Sequence, residues 1–312
     1  MTIKAGIREG AFLASLAIAV TGAAAQSISL PSVEPVGQDT RPIAAGDSFA
    51  FGVYDPHGDF KDDKLPVIEE LFLPWEDIDL STLAMADDYA RARGRSLLIS
   101  VEPWSWDQNK RVPADDLRRS ILSGRFDGNI AAVCSAIGKL SSPTTIRWAQ
   151  EMESDPPRFT WSNWPPADYI TAYRHVVELC RPLTPTSRYM WSPKGTDELD
   201  KYYPGHDVVD DIGLSVFGLQ GYDRGEFGHE RSFAEILKPA YDLVAKYNKP
   251  IYVAELGYVG QPSYVSYWAR TVLPRDPRFP KLVAIIYFND KDVVEWPNYG
   301  VPNWRVIENT LK

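Results

Sequence analysis

The feature that most limits what this chain can fold into is a short apolar run that recurs eight times, each copy closed by a loop carrying Pro, Gly or Asp. The runs lie at 49–54, 68–73, 96–101, 144–149, 187–191, 212–217, 250–254 and 282–288. Apolar stretches this short, bounded by turn residues, read as strands buried on both faces. Between several of them, at 80–92, 129–140, 167–180, 233–247 and 263–273, and again near 304–311, apolar residues return every three or four positions. That is the pattern of a helix packed on a sheet. Alternating strand and helix predict a parallel sheet. Eight repeats within residues 46–312 predict one (β/α)8 TIM barrel of the α/β class. The first and fifth crossovers, 55–66 and 194–211, lack a full helical pattern, which leaves a doubly wound open sheet as the other arrangement.

The N-terminal 25 residues carry Lys4 and Arg8, an apolar run over 11–20 and the small residues Ala23, Ala24 and Ala25 before Gln26. This is the layout of a signal peptide, and its apolar run is shorter than the ~20 residues of a membrane-spanning helix. The mature chain is therefore expected outside the cytoplasm, periplasmic or extracellular, with no membrane attachment. Residues 26–45, with Pro31, Pro35 and Pro42 and few large apolar side chains, read as an extended leader.

Without the first 25 residues, which hold two basic groups and one acid, the net charge of −9 becomes −10. An acidic chain lacks the basic face that nucleic acid or an anionic membrane requires. A neutral ligand is expected, bound to a monomer. The aromatic content of 12%, with 10 Trp and 16 Tyr, suits a protein that stacks flat rings on its ligand, or one that fills a large core with them. Cys134 and Cys180 both fall on helical patterns, so a disulfide between neighbouring helices and a pair of buried thiols are both open. His57, His175, His206 and His229 have no ligand spacing such as HExxH, and neither a metal nor another cofactor is expected.

Catalytic groups of a barrel sit at the C-terminal ends of its strands. Three strands end in glutamate: Glu102 before Pro103 and Trp104, Glu151 after Arg147, Trp148, Ala149 and Gln150, and Glu255 before Leu256 and Gly257. Glu151 and Glu255 are 104 residues apart, about three βα units of roughly 35 residues, which places them on strands four and seven. Two carboxylates converging on one pocket can cleave a glycosidic bond, one protonating the leaving oxygen while the other attacks the sugar carbon. The acid needs a raised pKa, and the nucleophile needs a donor such as Arg147 to stay ionised. Glu102 reads instead as a support for a loop presenting Trp104 and Trp106, bonded to a sugar hydroxyl or an arginine.

Taken together, the strand ends resemble glycoside hydrolase family 26, whose members are mostly β-mannanases, with mixed-linkage β-glucanases and β-1,3-xylanases among them. The resemblance rests on Arg147 to Met152, on Lys249 to Gly257, and on an ordered series between and around them: Leu73-Pro74-Trp75, Glu102-Pro103-Trp104, Trp191-Ser192-Pro193, Tyr203-Pro204-Gly205 and Tyr287-Phe288-Asn289. It implies a retaining mechanism with Glu151 as acid/base and Glu255 as nucleophile, and sugar contacts from Trp191, Trp104 and Trp296. Gln150 stands where mannanases of the family usually carry histidine, and Glu153 where asparagine often follows. Strand six offers Ser215 and Phe217 instead of an aspartate and a tyrosine. The expected substrate is a β-1,4-mannan or a mixed-linkage β-1,3/1,4-glucan, cut internally; because these positions line the subsite of the cleaved sugar, the departures count against mannan, with a β-glucan or an exopolysaccharide as its rival. The alternative is a non-catalytic polysaccharide-binding or exopolysaccharide-synthesis accessory protein on the same barrel.

Overall fold

The structure, a computed structural model, describes residues 40–311. The expected signal peptide and all but the end of the leader lie outside the described residues. Eight parallel strands form a closed barrel in sequence order: β1 (Ala50–Tyr54), β2 (Ile68–Pro74), β3 (Ser96–Glu102), β4 (Thr144–Trp148), β5 (Arg188–Trp191), β6 (Asp211–Leu219), β7 (Ile251–Val259) and β8 (Leu282–Phe288). β1 closes the ring on β8, paired from Ala50 with Ala284 to Tyr54 with Phe288, which rules out the open sheet.

Helices α1 (Thr82–Ala92), α2 (Ala114–Leu122), α3 (Asp127–Ile137), α4 (Pro166–Cys180), the short α5 (Gln220–Tyr222), α6 (Phe233–Val244) and α7 (Pro262–Thr271) flank the barrel. The first crossover carries no helix and the fifth only the 3-10 turn Leu199–Tyr202. One expectation is corrected, and one helix is added to those read from the sequence. Residues 304–311 form no helix: they run as an irregular strap in which Gly260 bridges Thr310, with Trp304 and Val306 buried and Ile307 exposed, so their apolar side chains do not share a helical face. Helix α2 has only Leu117 and Ile121 as large buried apolar residues, too sparse a stripe to be read from the sequence.

The core has two layers. Ile99, Val133, Trp148, Val177, Leu237 and Trp268 belong to the large shell between strands and helices. Inside the barrel, Leu98, Met190, Ala254, Ala284 and Ile286 form a small plug. Gly213 lets that plug pack, since a Cβ there would lie 2.6 Å from the sulfur of Met190. Cys134 on α3 and Cys180 on α4 are joined by a disulfide, with Cα atoms 5.3 Å apart. The end of the leader lies along the barrel, with the Ile43 N–H donating to the Ala269 carbonyl at 2.7 Å. No helix among the described residues is long and apolar enough to cross a membrane.

Candidate active site

Local backbone irregularities turn the two glutamates inward. On β7, Leu214 of β6 pairs with Val253 but Ser215 pairs with Glu255, so Ala254 is an extra residue in the ladder. Such a bulge re-aims the side chains on either side of it. Ala254 joins the interior plug and Glu255, which strict alternation would point at the helices, lines the cleft. At the end of β4, Ala149 (φ 48°) and Glu151 (φ 54°) are both left-handed, a conformation that costs a non-glycine residue free energy and persists where surrounding bonds over-determine it. Those bonds are present. Trp161 Nε1 donates to the Gln150 carbonyl at 2.7 Å, the Glu151 N–H donates to the Ser192 carbonyl at 2.8 Å, and the Tyr169 hydroxyl donates to the Ala149 carbonyl at 3.3 Å.

Beneath the cleft lies a buried polar layer centred on Arg147, whose guanidinium is fully enclosed. Its Nη1 donates to Glu255 Oε1 at 2.7 Å and to Ser100 Oγ at 3.2 Å, and lies 3.5 Å from Glu70 Oε1; its Nε donates to Ser192 Oγ at 2.9 Å. Burial pushes the Glu70 carboxyl up to about 8, against the pull of Arg147. Glu151 is only 3% exposed and sits one step behind the cleft wall. Its Oε1 accepts the Ser215 hydroxyl at 2.7 Å, and its Oε2 is buried without a partner. Ser215 adjoins both glutamates: it pairs with Glu255 in the sheet and bonds Glu151 through its side chain.

The glutamates titrate together. Burial pushes Glu255 up, opposed by Arg147. Burial also acts on Glu151, but Arg158, the Ser215 hydroxyl, Lys194 and Arg147 outweigh it and hold that carboxyl below its ordinary value. The surroundings thus push Glu255 up and Glu151 down, the reverse of what the sequence predicts for an acid at Glu151.

The cleft itself has a volume of about 400 Å³. One side is aromatic: Tyr54, Phe72, Phe217, Phe288 and Trp304, from β1, β2, β6, β8 and the C-terminal strap. Phe217 packs on Trp304 with ring centroids 4.8 Å apart, and Gly257 is required beneath them because a Cβ would sit 2.8 Å from both rings. The other side comes from the loops after β3 and β4, with Glu102, Trp104, Gln150 and Arg158. Arg158 Nη2 donates to Asp292 Oδ1 at 2.8 Å, joining the loop after β4 to the loop after β8.

Of the residues singled out from sequence, Glu255, Gln150, Trp104 and Phe217 line the cleft, with Arg147 and Glu151 directly behind its wall. Two expected sugar contacts are corrected. Trp191 is fully buried against Tyr203 and Tyr247, because alternation on β5 turns Met190 into the barrel and Trp191 toward the outer shell. Trp296 is half-buried and is not among the residues lining the cleft: its Nε1 donates to Asp292 Oδ2 at 3.0 Å and its ring packs on Trp304 and Tyr222. Glu102 bonds neither an arginine nor open space: its Oε1 accepts from Gln150 at 3.0 Å and its Oε2 from the indoles of Trp104 and Trp106, each at 2.9 Å. Sequence reading missed Tyr54, Phe72 and Phe288, although each aromatic falls near the end of an apolar run, and Glu70, a carboxylate inside one. Arg158 and Asp292 stand in irregular loops with no periodic signal. Among the described residues, no group of three or more His, Cys, Asp or Glu could hold a metal ion.

No protein-family profile matches the chain. Its sequence is 25% identical over 146 residues to a β-1,3-xylanase of a Vibrio species, covering 44% of this chain and 28% of that protein. It is 23% identical over 254 residues to endoglucanase H of Acetivibrio thermocellus, covering 75% of this chain and 26% of that protein. The matches thus span little more than a quarter of these relatives' length. Among solved structures, the fold is similar to a GH26 β-mannanase of Bacteroides ovatus, with a TM-score of 0.60 and 16% identity over 84% of this chain and 86% of that one. It is also similar to a modular endo-β-1,4-mannanase of Cellulomonas fimi, with a TM-score of 0.60 and 18% identity over 78% of this chain and 65% of that one. These likenesses establish the (β/α)8 fold and agree with the resemblance carried by the strand-end motifs.

Proposed function

We propose that this chain is an exported glycoside hydrolase of the family 26 type, a retaining endo-β-glycanase that cuts internal bonds of a β-1,4-mannan or a mixed-linkage β-1,3/1,4-glucan. One observation carries the reading. Two buried glutamates from β4 and β7 meet across Ser215, one bonded to an enclosed arginine and the other with an oxygen that has no partner. Export rests on the signal-like pattern of residues 1–25.

In the first step Glu255 Oε attacks the anomeric carbon, forming a glycosyl ester as the bond to the leaving oxygen breaks, and Glu151 delivers its proton to that oxygen. In the second step Glu151 takes a proton from water, whose oxygen attacks the same carbon and frees Glu255. Arg147 holds the attacking carboxylate in place and stabilises its charge. The unpartnered Glu151 Oε2 is the atom positioned to carry the proton. The two carboxyls are pushed in opposite directions, Glu151 down and Glu255 up. The dependence of kcat/KM on pH is then bell-shaped, with limbs that belong to the pair and not to either residue.

Purified protein is expected to release reducing ends from mannan or mixed-linkage glucan in a panel that also holds xylan and cellulose. Glu151→Ala and Glu255→Ala should each lose at least about a thousandfold in rate while keeping the circular dichroism spectrum. Full activity in either variant removes the assignment. Saturable binding without hydrolysis of any of the four would favour the accessory-protein reading, for which Ser215 and Phe217 on strand six are the supporting observation.

A further inference from the structure

The loop after β3 extends one end of the cleft with Trp106, Gln108 and Arg111, and the double-displacement chemistry uses none of them. Trp106 is 52% exposed, unusual for an indole, yet its Nε1 is bonded to Glu102. Its ring is thus fixed and open. Arg111 is half-buried and held in two ways: its Nε donates to the Ser105 carbonyl at 3.0 Å, and its guanidinium carbon lies 3.5 Å from the centroid of the Trp104 ring. Neither contact uses the outer edge of the guanidinium. No ion pair involves Arg111 among the described residues, and Glu102, the carboxylate whose field it feels, has its oxygens taken by two indoles and an amide. By contrast the neighbouring cleft cation, Arg158, is committed to Asp292.

A guanidinium that is stacked, tethered and left with a free planar edge is preorganised for a two-pronged bond to a carboxylate. Beside it stands an aromatic face of the kind on which a sugar ring packs. Resting on the glycanase reading above, we infer that Trp106, Gln108 and Arg111 form an outer subsite for a hexuronate residue of the bound glycan. The sugar ring lies on Trp106 and its C6 carboxylate receives the free edge of Arg111.

The test is isothermal titration calorimetry on Glu151→Gln protein, which prevents turnover. The probes are neutral β-1,4-manno- and β-1,4-gluco-tetraoses and the same tetraoses oxidised at C6 of a terminal sugar. The acidic form of at least one backbone should bind roughly tenfold more tightly than its neutral form. That preference should narrow as sodium chloride rises from about 0.05 to 0.5 M. Adding Arg111→Met should bring the acidic probe to the neutral affinity while leaving the neutral probe within about twofold, and Arg111→Lys should keep part of the preference. Equal affinity for both forms, or a preference that survives Arg111→Met in protein with unchanged melting temperature, overturns the subsite and leaves the glycanase reading standing. Failure of every tetraose to bind overturns both.

Discussion

At the residue scale, the chemistry turns on how two arginines divide their charge among the carboxylates. Arg147 is enclosed and bonded to Glu255, while Arg158 sits on a loop, ion-paired with Asp292, and its charge also holds Glu151 down. Arg158 stabilises the ionised form of Glu151, so its removal raises that carboxyl's pKa. Arg158 also opposes the rise of Glu255, so its removal raises both carboxyls of the pair, and both limbs of the kcat/KM profile of Arg158→Met should move to higher pH. A pH series on the fastest polysaccharide measures this; unmoved or downward-shifted limbs would show that Arg158 does not govern the pair. The sequence carried Glu151, Glu255 and Arg147 because each occupies a fixed offset from a strand end. It did not carry Arg158, Asp292 or Arg111, whose places depend on where irregular loops return to the cleft. Trp191 was misread for a simpler reason: one step of strand alternation decides whether an aromatic faces the cleft or the outer shell.

At the scale of elements, the site is assembled by departures from regularity within a regular frame. The periodicity of the apolar runs made all eight strands legible, but a hydrophobic pattern cannot show that Ala254 bulges, and the bulge is what aims Glu255. Nor could it show that Ala149 and Glu151 adopt left-handed backbone, since neither is a residue that commonly marks that conformation. Helix α6 illustrates the opposite case, a boundary written locally. Ser232 Oγ accepts from the Glu235 N–H at 3.3 Å, while the Glu235 carboxylate accepts from the Ser232 N–H at 2.8 Å, a reciprocal cap on two otherwise orphan donors. Ser232→Ala should cost about 1 kcal/mol of unfolding free energy, measured by urea titration, with hydrolysis unchanged because the cap lies outside the cleft. A loss of activity at unchanged stability would link this helix to the site in a way the contacts do not.

At the scale of the whole molecule, a closed barrel places loops from all strands on one face, so residues as distant as Tyr54 and Trp304 share a cleft. The disulfide ties α3 to α4 on the wall beside β4, closing a loop of 46 residues. Constraint of the unfolded chain by a loop of that length contributes about 4 kcal/mol, so Cys134→Ala/Cys180→Ala protein should lose stability on that order in urea denaturation; an unchanged midpoint would show that the bridge adds nothing. The central claim is that Glu255 forms a covalent bond to sugar. It is tested most directly by incubating the protein with a 2-deoxy-2-fluoro-β-glycosyl fluoride of the preferred backbone and locating the adduct by peptide mass spectrometry. The account predicts a single sugar adduct on the peptide holding Glu255, formed as activity is lost. An adduct on Glu102 or Glu151, or steady hydrolysis of polysaccharide that leads to inversion at the anomeric carbon with no adduct, would contradict it.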